Sequence, residues 1–213
     1  FETFIVGPSN TLAHAGALAV AENPGRKYNP LFLYGNSGLG KTHLAQAIGL
    51  RIKEKYPDLV VLYVPANRFK TQYMNATSAK NRLTDFLAFY QRIDVLIIDD
   101  IQELYSPGTQ NAFFHIFNHL HQNNKQLIFT SDRPQVELQN FEQRLLSRLK
   151  WGLSVQLLTP DYNTRLEMLR ARTAREGAEV DDTVLQFLAS RIKTNFRELE
   201  GALLSVIAKI IKG

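Results

Sequence analysis

Eight consecutive residues, Gly35-Asn36-Ser37-Gly38-Leu39-Gly40-Lys41-Thr42, satisfy the pattern G-x-x-x-x-G-K-[ST] without a mismatch. Glycines at these positions let successive backbone N–H groups converge on phosphate oxygens, and a following helix presents its positive end to them. On that chemistry Lys41 reaches the β- and γ-phosphates of a nucleoside triphosphate, and the Thr42 hydroxyl ligates Mg2+. The bland alternative is a glycine-rich turn that binds nothing. The flanks, an apolar run before the octet and a helix-like stretch after it, are the context that phosphate binding requires.

Further along, Val95-Leu96-Ile97-Ile98 runs into Asp99-Asp100, which is how a buried strand delivers carboxylates to a phosphate site. Asp99 suits the metal, directly or through water, and Asp100 suits the orientation of a water attacking the γ-phosphate. The competing reading is a strand end capped by acids that face solvent. Thr130-Ser131-Asp132 closes the next apolar run with three polar side chains, a place to sense the γ-phosphate or hold the water; Asp132-Arg133-Pro134 also reads as a plain turn. Arg144 and Arg148 lie four apart and share one helix face, with a planar, permanently charged group suited to phosphate. Such a pair is equally the solvated face of a surface helix. In Asn195-Phe196-Arg197-Glu198-Leu199-Glu200, Asn195 can cap a helix that carries Arg197 in its first turns. There the two glutamates can simply pair with Arg191 or Lys193.

The elements that must position these groups are legible from periodicity. Leu31 to Tyr34, Leu59 to Val64, Val95 to Ile98, Leu127 to Thr130 and Leu153 to Leu158 read as buried parallel strands. Lys41 to Tyr56, Leu83 to Tyr90 and Gln110 to His121 have helical spacing between them, so a doubly wound α/β sheet is expected, with ligands at the carboxyl ends of its strands. After Thr159-Pro160-Asp161 the pattern is helix only: Asn163 to Arg175, Asp181 to Lys193 and Asn195 to Ile211, with Asp161 and Asp181 as N-caps. This division predicts a nucleotide-binding core over 1–159 and an all-helical subdomain over 160–213.

The chain has 213 residues, enough to bury a sizeable core, with 45 % apolar and 21 % charged residues, an ordinary globular balance. Nothing in it resembles a membrane span or an export signal. It holds no cysteine, which removes disulfides and thiolate metal sites and fits a reducing cytoplasm. A net charge of +5 suits an anionic partner, although a nucleotide cleft itself accounts for some of it. Opening at Phe1 rather than Met and closing at Gly213 behind a helix-like run, the chain is expected to be a piece of a longer protein.

These pieces in this order resemble an AAA+ ATPase, and their wording resembles the DnaA family of bacterial chromosome replication initiators. The resemblance rests on Ala21-Glu22-Asn23-Pro24-Gly25, Tyr28-Asn29-Pro30-Leu31-Phe32, Gly38-Leu39-Gly40-Lys41-Thr42-His43-Leu44, Ile98-Asp99-Asp100-Ile101-Gln102, Phe113-Phe114-His115, Trp151-Gly152-Leu153 and Arg197-Glu198-Leu199-Glu200-Gly201-Ala202-Leu203. It implies an αβα sandwich around a five-stranded parallel sheet, a three-helix lid, and ATP or ADP with Mg2+ between them. It further implies that Lys41 and Thr42 are the Walker A pair, Asp99 and Asp100 the Walker B acids, Asp132 sensor 1 and Arg197 the sensor 2 arginine. Arg148 is implied as the arginine finger acting on ATP bound to the next subunit, with Arg144 assisting. Ile5-Val6-Gly7 and Asn10 align with the segment that wraps the adenine in this family, though their residues alone read as a short strand and turn. Asn36, Ser37, Gly38, Leu39, Gly40 and His43 complete the expected nucleotide contacts.

What the family implies is a switch: ATP lets molecules assemble into a helical filament on origin DNA and melt it, and slow hydrolysis turns assembly off. The segment 66–91 occupies the place of a helical insertion that lines a single-strand channel, with Arg68, Lys70, Met74 and Lys80 as expected contacts, since cations neutralise phosphates and aromatics stack on bases. Its aromatics, Phe69, Tyr73, Phe86 and Phe89, are as readily core. The replicative helicase and regulatory proteins are further expected partners. Departures from the family pattern are Asn36-Ser37 in place of Gly-Val, Gln143 in place of Asp, and a short loop over 105–110 without basic residues. Two other classes stay open: a DnaC-type helicase loader, and a DnaA-related regulatory module. The sequence Arg197-Glu198-Leu199-Glu200-Gly201 and the intact Walker A pattern favour the initiator.

Overall fold

Apolar side chains without a break along a strand require cover on both faces of the sheet, and the fold supplies it. The computed structural model describes residues 1–78 and 82–212. In chain order the elements are α1 (Thr11–Glu22), β1 (Leu31–Tyr34), α2 (Lys41–Lys55), β2 (Val61–Pro65), α3 (Ala66–Ser78), α4 (Arg82–Gln91), β3 (Val95–Asp99), α5 (Pro107–Gln122), β4 (Gln126–Ser131), α6 (Gln143–Leu149), β5 (Leu153–Gln156), α7 (Tyr162–Glu176), α8 (Asp182–Arg191) and α9 (Phe196–Lys212). All five strands are parallel, in the order β2-β3-β4-β1-β5. The period-two alternation sorts their side chains. Leu31, Leu33, Val95, Ile97, Ile128 and Val155 pack toward α1 and α2. Phe32, Leu96, Ile98, Leu127 and Phe129 pack toward α3, α4, α5 and α6, where Phe69, Phe86, Tyr90, Phe113 and Phe117 fill the space.

A third core is separate from these two. Leu166, Leu169, Leu185, Leu188, Leu199, Leu203 and Ile207 bury one another between α7, α8 and α9. Within this unit Arg165 is buried, donating from Nη1 to the carbonyl of Pro160 and from Nε to that of Ala189, so its N–H groups lose water without losing partners. The three expected caps form: Asp161 accepts from the Thr164 amide at 2.8 Å, Asp181 from the Thr183 amide at 2.8 Å, and Asn195 from the Glu198 amide at 3.0 Å.

Expected and observed elements differ at the amino terminus and at element ends. Residues 5–7 form no strand. The Asn10 amide binds the segment back on itself instead, donating to the Ile5 carbonyl and accepting from the Gly7 amide, both at 3.0 Å. Helix α1 follows at once and goes unmarked in the sequence reading because its alanines and glycine carry little amphipathic contrast. The second strand starts at Val61 rather than Leu59, and the fifth ends at Gln156 rather than Leu158. Segment 66–91 is helical as expected, divided between α3 and α4. No helix of the described residues is long and apolar enough to cross a membrane.

Candidate nucleotide site

The octet after β1 forms an open cup because three of its glycines take positive φ: Gly35 (147°), Gly38 (78°) and Gly40 (93°). Left-handed backbone of this kind is costly for residues with a β-carbon. Gly40 leads directly into α2, whose first turn holds no acid, so the positive end of that helix remains free for an anion. Lys41 is buried, and its ammonium donates to the loop's own carbonyls, Gly35 at 2.6 Å and Asn36 at 2.8 Å. Burial holds the Lys41 pKa below its ordinary value, with Asp100, Asp132 and Asp99 pulling it back up.

Asp99, at the end of β3, is only 5 % exposed and receives three hydroxyls. Thr42 donates to it at 2.9 and 3.1 Å, Tyr63 donates at 2.7 Å, and Thr130 donates from the adjacent strand. Burial first, and the Asp99 carboxylate second, push the Tyr63 phenol far above its ordinary pKa, so it stays a donor. Asp100 then leaves the strand in the left-handed region, φ 57°, its amide donating to Thr130 Oγ1 at 2.9 Å. Gln102 links the Asp100 carboxylate to the backbone of Asp132, donating to Asp100 Oδ1 at 3.2 Å and accepting from the Asp132 backbone N–H at 3.3 Å. Asp132 also receives Arg133 on both oxygens, 2.8 and 2.7 Å, and that ion pair is the main cause of its lowered pKa.

The far wall comes from the three-helix unit. Phe196 donates its amide to the Gly38 carbonyl at 2.9 Å, and Arg197 donates to Ser37 Oγ at 3.1 Å. A β-carbon on Gly38 would sit 2.8 Å from Asn195 Oδ1, so the loop and the start of α9 are in contact. On the other side Thr3, Phe4 and Ile5 face Met168, Arg172 and Arg175 of α7, with Arg175 donating to the Thr3 carbonyl at 3.2 Å and Arg172 paired to Glu200 at 3.1 Å. His43 meets Thr3 Oγ1 at 3.0 Å and the Phe4 ring edge-on at 5.6 Å. These walls enclose a cavity of about 600 Å3. Lys41, Arg172, Arg175 and Arg197 line it against Asp100, Asp132 and Glu200.

Oxygen donors suit Mg2+, and Thr42 with Asp99 is the set that could hold it. Among the described residues no cluster of three or more His, Cys, Asp or Glu could hold a metal by itself.

The family described as Bacterial DnaA ATPAse domain matches residues 1–156. The chain belongs to the bacterial DnaA family. The chromosomal replication initiator protein DnaA of Flavobacterium psychrophilum is 53 % identical over 211 residues, covering 98 % of this chain and 44 % of that relative. The chain therefore spans less than half the length of the curated DnaA relatives it matches. Among solved structures, domain III of the Thermotoga maritima replication initiation protein DnaA superposes with a TM-score of 0.92 at 41 % identity, over 95 % of this chain and 85 % of that one. A replication initiator DnaA bound to AMPPCP and single-stranded DNA superposes at 0.87 with 36 % identity, over 96 % of this chain and 63 % of that one. The DnaC helicase loader reaches 0.63 at 20 % identity over 73 % of this chain and 93 % of that one, a likeness of fold alone.

Within the DnaA-family fold, the expected residues fall into four groups. Ile5, Ser37, Gly38, Leu39, Gly40, Lys41, Thr42, His43, Asp100, Asp132 and Arg197 line the cavity. Asp99 stands behind Thr42 and the Asn36 carbonyl accepts from Lys41, whereas Val6, Gly7 and Asn10 lie outside the lining, Val6 exposed and Asn10 bonded to Gly7 and Ile5. Arg144 and Arg148 share one face of α6, as their spacing requires, but they stand apart from the lining, stacked near Phe114. In the helical segment Arg68 and Met74 are exposed, Met74 at 57 %, and Lys70 reaches the Tyr105 hydroxyl at 2.8 Å. Lys80 lies outside the described residues. Of the aromatics there, Phe69 and Phe86 are core, Tyr73 packs beside them, and Phe89 is exposed.

Sequence reasoning missed Tyr63, Met168, Arg172, Arg175 and the Arg172–Glu200 pair; among the described residues Glu198 and Glu200 make no ion pair with Arg191 or Lys193. Met168, Arg172 and Arg175 share a helix face at i, i+4, i+7, but spacing along α7 carries no information about what that face meets. Gln102 was visible within the Ile-Asp-Asp-Ile-Gln phrase, without a role.

Proposed function

We propose that this chain is the AAA+ module of a chromosomal replication initiator, in which ATP acts as an assembly switch and is hydrolysed slowly. Residues 1–159 form the nucleotide-binding core and 160–213 the lid. The observation that carries the reading is the division of arginines: Arg197 meets the P-loop cup from α9, while Arg148 stands outside that cavity, stacked rather than ion-paired. A site built this way is complete only when a second copy brings its Arg148.

Each wall has a role on this reading. The loop amides and Lys41 bind the triphosphate, Lys41 exchanging the carbonyls of Gly35 and Asn36 for phosphate oxygens. Thr42 and Asp99 hold Mg2+, which neutralises charge on the β- and γ-phosphates when bound. Asp100 orients the attacking water and receives its proton, with Gln102 and Asp132 setting its position. Arg197 reads the phosphates from the lid, and the contact between Arg175 and Thr3 closes the base end. Without Arg148 in trans the developing charge lacks one cation, so a lone molecule hydrolyses slowly; a finger of this type is worth roughly 10³ to 10⁵ in rate.

A relative bound to AMPPCP and single-stranded DNA supports both ligands for this chain. Arg68, Lys70, Met74 and Lys80 are proposed to face the single strand, and origin DNA, the replicative helicase and regulatory proteins are proposed partners in the cytoplasm. The closer and more extensive likeness to DnaA favours the initiator over the helicase loader. Sedimentation velocity with ATP, ADP and AMPPCP, with and without single-stranded DNA, tests the switch. Assembly is expected with ATP and AMPPCP only, and Arg148→Ala is expected to move it to a much higher protein concentration. Equal assembly by Arg148→Ala and the parent would overturn the trans finger.

A further inference from the structure

Arg148 is held by two aromatic rings. Its guanidinium carbon lies 4.2 Å from the Trp151 ring centroid and 5.4 Å from that of Phe114, and Nε donates to Asn118 Oδ1 at 2.9 Å. Among the described residues no carboxylate pairs with it, and its Nη hydrogens make no hydrogen bond. Arg144, one turn earlier, is stacked on the same Phe114 at 4.4 Å but is neutralised by Glu142 at 2.5 Å and bound to Asn111 at 2.8 Å. The two arginines thus share a ring and differ in charge balance.

The Trp151 ring is itself fixed from behind. It tilts against His121 at 4.9 Å and lies edge-on to Phe117 at 6.2 Å, and the Trp151 amide donates to the Arg148 carbonyl at 3.1 Å. The next residue is pinned as well: a β-carbon on Gly152 would fall 1.7 Å from the Pro30 carbonyl oxygen, so the chain passes there only without one. Despite this support Trp151 is 50 % exposed.

We propose that Trp151 and Phe114 are positioning residues that hold the Arg148 guanidinium in a cation–π seat, with Asn118 setting its rotation and the Nη edge left open for a terminal phosphate on a second copy of this chain. The proposal rests on the trans reading above and deepens it. A stack holds a guanidinium without consuming its charge or its Nη donors, whereas a carboxylate would consume both. Prearranging the side chain also removes the rotamer entropy that an exposed arginine loses on docking.

Trp151 is the chain's single tryptophan, so its fluorescence reports on the seat directly. The emission maximum of Arg148→Ala is expected to move to longer wavelength, as the ring gains solvent, while Arg144→Ala leaves it in place. Assembly with ATP is then followed by sedimentation velocity for Trp151→Leu, Trp151→Phe and the double variant Trp151→Leu/Arg148→Ala. Trp151→Leu is expected to raise the concentration needed for assembly by roughly three- to tenfold, the scale of one cation–π pair. Trp151→Phe keeps most of the parent behaviour, ATP affinity of the monomer is unchanged in both, and the double variant is no worse than Arg148→Ala. Unchanged emission in Arg148→Ala overturns the seat whatever assembly does. A shifted emission with normal assembly by Trp151→Leu, or additive losses in the double variant, overturns the positioning role alone. Normal assembly by Arg148→Ala overturns the trans reading itself.

Discussion

Phe196 donates its backbone N–H to the carbonyl of Gly38 across 2.9 Å, joining the first residue of α9 to the middle of the phosphate-binding loop. Through this bond the three-helix unit meets the loop with backbone as well as with Arg197.

Gly38→Ala should damage both partners of that bond. The residue sits at φ 78° and its new methyl group would meet Asn195 at 2.8 Å. A left-handed alanine costs about 1 to 2 kcal/mol, and the contact adds to it. Denaturant titration should show the loss of stability, and a fluorescent ATP analogue should bind more weakly because the methyl group displaces the loop from the start of α9. Unaltered nucleotide affinity would show that the loop does not need this conformation.

Arg197→Ala leaves the loop intact and removes the cation that α9 holds at Ser37. Binding titrations should show ATP affinity falling more than ADP affinity, since the triphosphate carries more charge near that group. An unchanged ratio of the two affinities would separate Arg197 from phosphate sensing.

Tyr63→Phe tests a residue with no motif. It keeps the ring and deletes one of the three hydroxyls on Asp99, a half-buried charge-assisted bond worth about 1.5 to 3 kcal/mol. The expected result is weaker Mg2+-dependent nucleotide binding, measured by titrating Mg2+ at fixed ATP analogue, together with a lower unfolding midpoint. A lower midpoint with an identical Mg2+ titration would assign Tyr63 to the fold alone.

Acid should loosen the amino-terminal segment. His14 stacks on Phe4 at 5.9 Å and His43 meets its edge at 5.6 Å, and burial is the first cause that holds both imidazoles below their ordinary value of 6.5. Below that value the unfolded chain takes up protons that the folded chain resists, so stability is full above it and falls as pH drops through the window beneath. Unfolding midpoints from about pH 7.5 down to about pH 5 should decline less steeply in the His14→Gln/His43→Gln variant than in the parent. Parallel slopes would exclude these two groups as the source.

Local chemistry made much of the site legible. A P-loop is a contiguous octet whose shape lies in its own backbone, so its position and its cup are readable together at Gly35 to Thr42. The strand ends at Asp99 and Asp132 are readable for a similar reason: a buried run must end where polar residues begin. Helix caps at Asp161, Asp181 and Asn195 depend on bonds only two or three residues long, and they formed as read. Helix α1 escaped because alanine and glycine give no amphipathic signal, and the expected strand at Ile5 escaped because one buried amide, Asn10, closes that segment into a turn.

The sequence by itself determined that this chain presents a glycine-rich loop between a strand and a helix, acids on neighbouring strand ends, two arginines on one helix face and three helices with a core of their own, because each of those is specified by residues close together in the chain. Only the tertiary structure decided who meets whom. Tyr63 reaches Asp99 because β2 pairs with β3, Arg175 and Met168 face Phe4 because α7 lies over the amino-terminal segment, and Arg148 rests on Trp151 while Arg144 is neutralised by Glu142. Those relationships depend on strand order, register and the packing of side chains many residues apart, and no spacing along a single element encodes them.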